Sequence, residues 1–205
     1  MLCCCAQEEK VDGANLGIFI TKDLEVVCQN RSHFVNEATH WQFASLRRWI
    51  DAHREGLFKA LKPGRHILYG EWLNAVVRLF LFCVCQPSNV AAGTSDGHVV
   101  HSLQWPVASQ NFVPPLQHSV RYTRLPDVFL AFDIFDKKHG RFLSRARRNR
   151  RLSGTGICVT PLLACKRLSG PEEILEMLES QSRFSEGHLE GVYLRIDEQE
   201  QPAAR

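Results

Sequence analysis

The chain has 205 residues, 44% of them apolar and 23% charged, with a formal net charge of +3. That length supports one medium domain with its own core, and the composition is that of a soluble globular protein. So small a charge implies no nucleic-acid partner by itself, but it is unevenly spread: Lys137 to Arg151 holds eight Lys or Arg and no acidic residue.

An apolar, cysteine-rich run (Leu2 to Ala6) leads into Glu8-Glu9-Lys10-Val11-Asp12-Gly13, and a second apolar run (Leu16 to Ile20) leaves it. Lys10 thus stands at the end of one short strand and the mouth of the next, with Gly13 allowing a tight turn. A third strand from Leu24 to Gln29 completes a predicted antiparallel meander, closed by Asn30-Arg31-Ser32. A lysine so placed is a nucleophile where desolvation or neighbouring cations keep its amine neutral. Otherwise it is a surface-turn residue.

From Thr39 to Lys62 the period lengthens. Phe43, Leu46, Trp49, Ile50, His53, Leu57 and Leu61 recur every three or four residues, which predicts a helix ended by Pro63-Gly64. Trp49 and His53 read as packing residues. His66 to Leu73 is the next strand and carries Glu71, a carboxylate that is costly among apolar neighbours unless it has partners.

Residues 76–117 keep no period. They begin oily, pass through a Gly/Ser/Asn/Ala stretch and end in Val113-Pro114-Pro115-Leu116-Gln117. A structureless stretch of this length is unusual in a compact domain. It reads as translated intron or a mis-assigned exon, with a lineage-specific surface insertion as the alternative.

Asp127 to Phe135 is a strongly apolar strand whose alternation places Phe132 on one face and Asp133 on the other. Ser144 can cap a helix that Gly154 stops, its outer face carrying the arginines. Those arginines are either a solvated face or a patch that tracks RNA phosphates, although no aromatic residue is interleaved with them. Gly156 to Thr160 reads as a short strand ended by Pro161. Pro171-Glu172-Glu173 opens a helix with Ile174, Leu175 and Leu178 inward. A last strand, Leu189 to Ile196, carries Glu190 and gives way to a polar tail.

The eight cysteines do not look like a disulfide framework. Cys3, Cys4 and Cys5 are consecutive in an apolar run, and Cys83-x-Cys85 lacks zinc-site spacing. An intracellular setting, cytoplasm or nucleus, is expected. The apolar start is too short for a signal peptide, and the run from Ala75 to Cys85, broken by Arg78, is too short to span a membrane.

Taken in order, Glu9-Lys10-Val11-Asp12-Gly13, Leu68-Tyr69-Gly70-Glu71-Trp72, Phe129-Leu130-Ala131-Phe132-Asp133-Ile134 and Leu189-Glu190-Gly191-Val192-Tyr193-Leu194 resemble motifs I, III, IIIa and IV of the covalent nucleotidyltransferases. Their spelling is most similar to the ATP-dependent RNA ligase domain. The resemblance implies an α+β, ATP-grasp-like adenylation domain of packed antiparallel sheets with flanking helices. It would span residues 1–196, interrupted at about 76–117, with a disordered tail at 197–205. It also implies that Lys10 forms a lysyl-AMP intermediate with ATP, and that AMP then activates an RNA 5′-phosphate for sealing to a 3′-hydroxyl.

By the same resemblance Glu9 and Phe132 surround adenine, Arg31 and Glu71 surround ribose and phosphates, and Glu190 holds Mg²⁺ or Mn²⁺. Arg31 remains open to being a solvated turn residue, and Phe129 and Phe135 to being core. The expected partners are RNA ends, with no membrane and with the protein a monomer. Motif V should bring lysines next, yet the only cations after Glu190 are Arg195 and Arg205. The alternative is therefore a catalytically dead remnant that binds nucleotide or RNA. DNA ends or a guanylate cap are a further substrate reading, disfavoured because no oligonucleotide-binding barrel follows.

Overall fold

A computed structural model describes residues 5–73 and 122–197. The irregular segment 76–117 lies outside the described residues, as does the tail beyond Asp197. In chain order the elements are β1 (Cys5–Lys10), β2 (Ala14–Ile20), β3 (Val26–Gln29), β4 (Phe34–Val35), a 3₁₀ turn (Trp41–Phe43), α1 (Leu46–Ala60), β5 (His66–Trp72), β6 (Phe129–Asp136), β7 (Arg141–Phe142), α2 (Arg145–Leu152), β8 (Leu162–Lys166), α3 (Glu172–Leu178) and β9 (Gly191–Ile196). Among the described residues they form an antiparallel six-stranded sheet, β4-β3-β2-β5-β6-β7, and an antiparallel three-stranded sheet, β8-β1-β9. The expected α+β architecture of antiparallel sheets with flanking helices is what the chain adopts.

The core follows from strand and helix periods. Leu16, Ile18 and Ile20 of β2 and Leu68 and Trp72 of β5 project to one face of the large sheet. There they meet Leu46, Trp49, Leu57 and Ala60, the apolar stripe of α1. Burying each large side chain contributes about 1.5–3 kcal/mol. Trp49 is core, as its helical spacing predicts. It stacks on His53 with ring centroids 4.2 Å apart, and its indole N–H donates to Asp127 Oδ1 at 2.9 Å.

The predicted meander around Lys10 is not what forms. β1 pairs with β8 and β9, whereas β2 pairs with β3 and β5, so Val11 to Gly13 carry the chain from one sheet to the other. Gly13 is required there by close approach: a Cβ would lie 2.9 Å from the Trp72 carbonyl oxygen.

Three further expectations are corrected. Gly156 to Thr160 is no strand; Val159 makes only an isolated bridge to Ala131, and pairing resumes after Pro161 as β8. Of the inward stripe expected of α3, Ile174 and Leu178 are half-buried, but Leu175 is 62% exposed. Strict alternation also fails in β6. Tyr69 pairs with Asp133 but Gly70 with Ala131, so Phe132 is the extra residue of a bulge. Phe132 and Asp133 consequently both reach Tyr193 of β9, the first by ring contact and the second by accepting its hydroxyl at 2.9 Å.

The basic helix is capped by Ser144 as expected, yet its arginines are not all on an outer face. Arg148 is fully buried, and with Arg145 it grips Glu8 of β1. Among the described residues, no helix is long and apolar enough to cross a membrane, and Cys5, Cys28, Cys158 and Cys165 are free thiols.

Candidate active site

Alternation along β1 sorts three adjacent charged residues. Glu8 and Lys10 share a face and Glu9 takes the other. Lys10 is the last residue of β1, opposite Gly191, and its Nζ lies 2.6 Å from Glu190 Oε1. The lysine side chain is 47% exposed and that of Glu190 20% exposed, so the ion pair is open to solvent on the lysine side.

Glu71 arrives on β5, one residue before Trp72. Because Trp72 packs inward, Glu71 faces away from the core that α1 covers. Burial pushes its carboxyl up to about 7 from an ordinary 4.5. Lys10 and Arg31 pull it back toward the ionised form, while Glu190 and Asp12 add to the rise. Those four charged groups therefore surround Glu71, and Arg31 belongs to the site's field. One oxygen of Glu71 and one of Glu190 are buried with no hydrogen-bond partner among the described residues.

These unspent acceptors bear on the expected metal. No cluster of three or more His, Cys, Asp or Glu side chains closes into a metal cage among the described residues. A pair of carboxylates with free oxygens suits a hard cation that takes its other ligands from phosphate and water, as Mg²⁺ does. Glu190 fits that description, with Glu71 beside it.

The two residues expected near adenine lie apart from this cluster. The Glu9 carboxylate accepts from Ser182 Oγ at 2.6 Å and from the Arg183 amide at 3.3 Å. Its side chain is thus turned to the Ser182 loop and held there. Phe132 is half-buried, its ring centroid 5.8 Å from that of Tyr193, which lies two residues along β9 from Gly191. The structure thus gathers Lys10, Arg31, Glu71 and Glu190, places Phe132 along the neighbouring strand, and fixes the Glu9 carboxylate elsewhere.

Sequence reasoning missed the polar layer behind Lys10. Glu8 Oε1 lies 2.5 Å from Arg148 Nη2 and 2.8 Å from Arg145 Nε, and Glu8 Oε2 lies 2.9 Å from Arg148 Nη1. Burial would raise the Glu8 carboxyl, but these guanidinium groups outweigh it and the net shift is downward. Arg148 Nη1 also donates to the carbonyl of Phe132, at 2.5 Å. On the same side Arg195 pairs with Asp133. Tyr122 was missed too: its hydroxyl accepts the Asp12 amide at 2.7 Å, tying it to the lysine turn. The one available signal for Glu8 was its place two residues before Lys10.

The RNA ligase family model matches residues 5–204, and the chain belongs to that family. Compared with curated proteins, the chain has no match in sequence. Among solved structures it is similar to Naegleria gruberi RNA ligase with PPi (TM-score 0.60, 19% identity), covering 95% of this chain and 46% of that one. It is similarly close to a lysine-to-alanine variant of that ligase with ATP and Mn (0.61, 19%, 95% and 47%) and to a glutamate-to-alanine variant with AMP and Mn (0.60, 19%, 95% and 46%). At that identity the likeness establishes a shared fold. The chain spans about half the length of these structures.

Proposed function

We propose that this chain is the nucleotidyltransferase domain of an ATP-dependent RNA ligase, with Lys10 as the residue that accepts AMP. The observation that carries the reading is the Lys10 amine beside Glu190 and Glu71, two carboxylates with unspent oxygens, on the four segments that resemble the family's motifs. In the first step the Lys10 Nζ lone pair attacks the α-phosphorus of ATP. A P–N bond forms, the bond from that phosphorus to the bridging oxygen breaks, and pyrophosphate leaves. The attacking amine must be unprotonated, so Lys10 first parts from Glu190 and gives a proton to solvent.

Arg31 supplies positive charge toward the phosphates, and Glu71 accepts from ribose hydroxyls. Phe132 offers a face to adenine, and stacking of that kind contributes about 1–3 kcal/mol. Glu190, assisted by Glu71, would hold Mg²⁺ or Mn²⁺, which when bound offsets charge on the transferring phosphate. AMP then passes from Lys10 to an RNA 5′-phosphate, and a 3′-hydroxyl displaces it to seal the strand. Glu9 contributes by anchoring β1 to the Ser182 loop, behind the adenine side. An intracellular monomer acting on RNA ends is the setting that fits the free thiols.

The test is the intact mass of the purified chain after incubation with ATP and Mg²⁺ or Mn²⁺. A gain of one AMP is expected, and none in Lys10→Ala. No adduct from the folded wild-type chain would replace this reading with that of a nucleotide- or RNA-binding remnant.

A further inference from the structure

At the opposite end of β5 and β6 from Glu71, a cavity of about 280 Å³ lies between the β6–β7 hairpin and α2. Five guanidinium groups line it, from Arg65, Arg141, Arg147, Arg150 and Arg151, against the single carboxylate of Asp136. Arg65 directs its fork at that carboxylate at 2.8 and 2.6 Å, and His139 Nδ1 sits 2.8 Å from it. Arg151 gives one N–H to the Ala60 carbonyl at 3.1 Å. Arg141 and Arg150 have no carboxylate partner among the described residues. Arg147, Arg150 and Arg151 are spaced three and four apart on α2 and share a face.

A second observation comes from the cavity's own wall. His66 is fully buried and lines it. Its Nδ1 accepts the Lys62 amide at 3.1 Å, while burial and the nearby Arg151 push the imidazole down to about 4. The neutral ring therefore carries its proton on Nε2, which has no hydrogen-bond partner and stands 3.9 Å from Asp136 Oδ2. A buried donor without an acceptor is costly, and an oxyanion would satisfy it. Among the described residues no Phe, Tyr or Trp lines the cavity, which favours a phosphate over a base there. Guanidinium forks match phosphate oxygens in pairs.

We infer that this cavity is a second phosphate site, which takes backbone phosphates of the RNA strand whose end lies at Lys10. That the strand is RNA rests on the ligase reading above. His66 and Glu71 are five residues apart on β5 and so on opposite faces of the sheet, at least about 16 Å apart at ~3.3 Å per residue. A strand that reaches both passes round the sheet and spans more than about five phosphates at ~3.4 Å each.

The measurement is the salt dependence of binding between the 205-residue chain and a fluorescent 5′-phosphorylated single-stranded RNA, read by anisotropy. Arg141→Ala/Arg150→Ala removes two exposed guanidinium groups, and thermal melting confirms that the fold is kept. The slope of log affinity against log salt is expected to become shallower by about 1.4, or ~0.7 per lost phosphate contact. Arg141→Lys/Arg150→Lys should restore most of it. An unchanged slope in the alanine pair overturns the inference. If inorganic phosphate alone binds the wild-type cavity, read by ³¹P line broadening lost in the alanine pair, while the RNA slope is the same in both proteins, the RNA assignment likewise falls. Lys10→Ala should lose the AMP adduct, and the alanine pair made in that background should still make the slope shallower. A wild-type chain that forms no adduct but shows the predicted slope change would overturn the ligase chemistry and leave the phosphate site standing.

Discussion

Glu71 shows how the candidate site trades stability for chemistry. Its folded-state carboxyl titrates near 7 and its ordinary value is 4.5, so between those values the folded chain holds a proton that the unfolded chain has released. Stability therefore falls as pH rises through that window and is level above it. Glu71→Gln removes the titration and keeps the shape. Its melting temperature should match that of wild type below pH 4 and exceed it above pH 7, by the equivalent of about 1–3 kcal/mol after allowing for partial exposure. Melting curves across pH 4–8 check this. A difference that does not change with pH would mean the carboxylate is comfortable where it is, and that its free oxygen is no mark of a ligand.

Among the elements, α1 shows what one sequence can and cannot say. Its apolar stripe repeats within a few residues, so helix, buried face and Trp49 were all legible. The partner of that helix was not. Gly56 faces the loop after α2, where an added Cβ would stand 2.1 Å from the Thr155 carbonyl oxygen, a backbone atom nearly one hundred residues away. Two effects of Gly56→Ala then oppose each other. Alanine gains about 1 kcal/mol in helix propensity, while the clash forces backbone apart at about 1–3 kcal/mol or more. At so short a distance the clash wins, and a lower urea midpoint is expected; a raised midpoint would show that the loop yields freely. The same distinction explains β1. Its strand character and Lys10 at its end were readable locally, whereas its partners β8 and β9 lie more than 150 residues downstream, so the sheet switch at Gly13 was not. The bulge at Phe132 is likewise set by pairing with Gly70, which no pattern inside β6 encodes.

Across the whole molecule, the two sheets are tied by charge as well as by oil. Glu8 of the small sheet meets Arg148 and Arg145 of α2, and Arg148 also holds the bulged carbonyl of Phe132 on the large sheet. The arginines of a solvated-looking basic run thus include two structural ones, invisible in sequence because their acidic partner is more than 130 residues away. A fully buried ion pair is poor evidence of net stabilisation, since well-packed neutral residues often do as well, but breaking one half leaves a charge stranded. Arg148→Met should therefore cost about 3–5 kcal/mol by urea denaturation. Glu8→Gln/Arg148→Met should cost less than the sum of the two single changes, with a coupling of about 1–3 kcal/mol. Arg145 still reaches Glu8 in the Arg148→Met chain, so the observed loss should fall toward the lower end of that range. Simple additivity would mean that Glu8 and Arg148 hold the sheets independently. Coupling would show that the strand ending in Lys10 is fixed by one shared network two residues before its end, leaving Lys10 itself to meet a ligand.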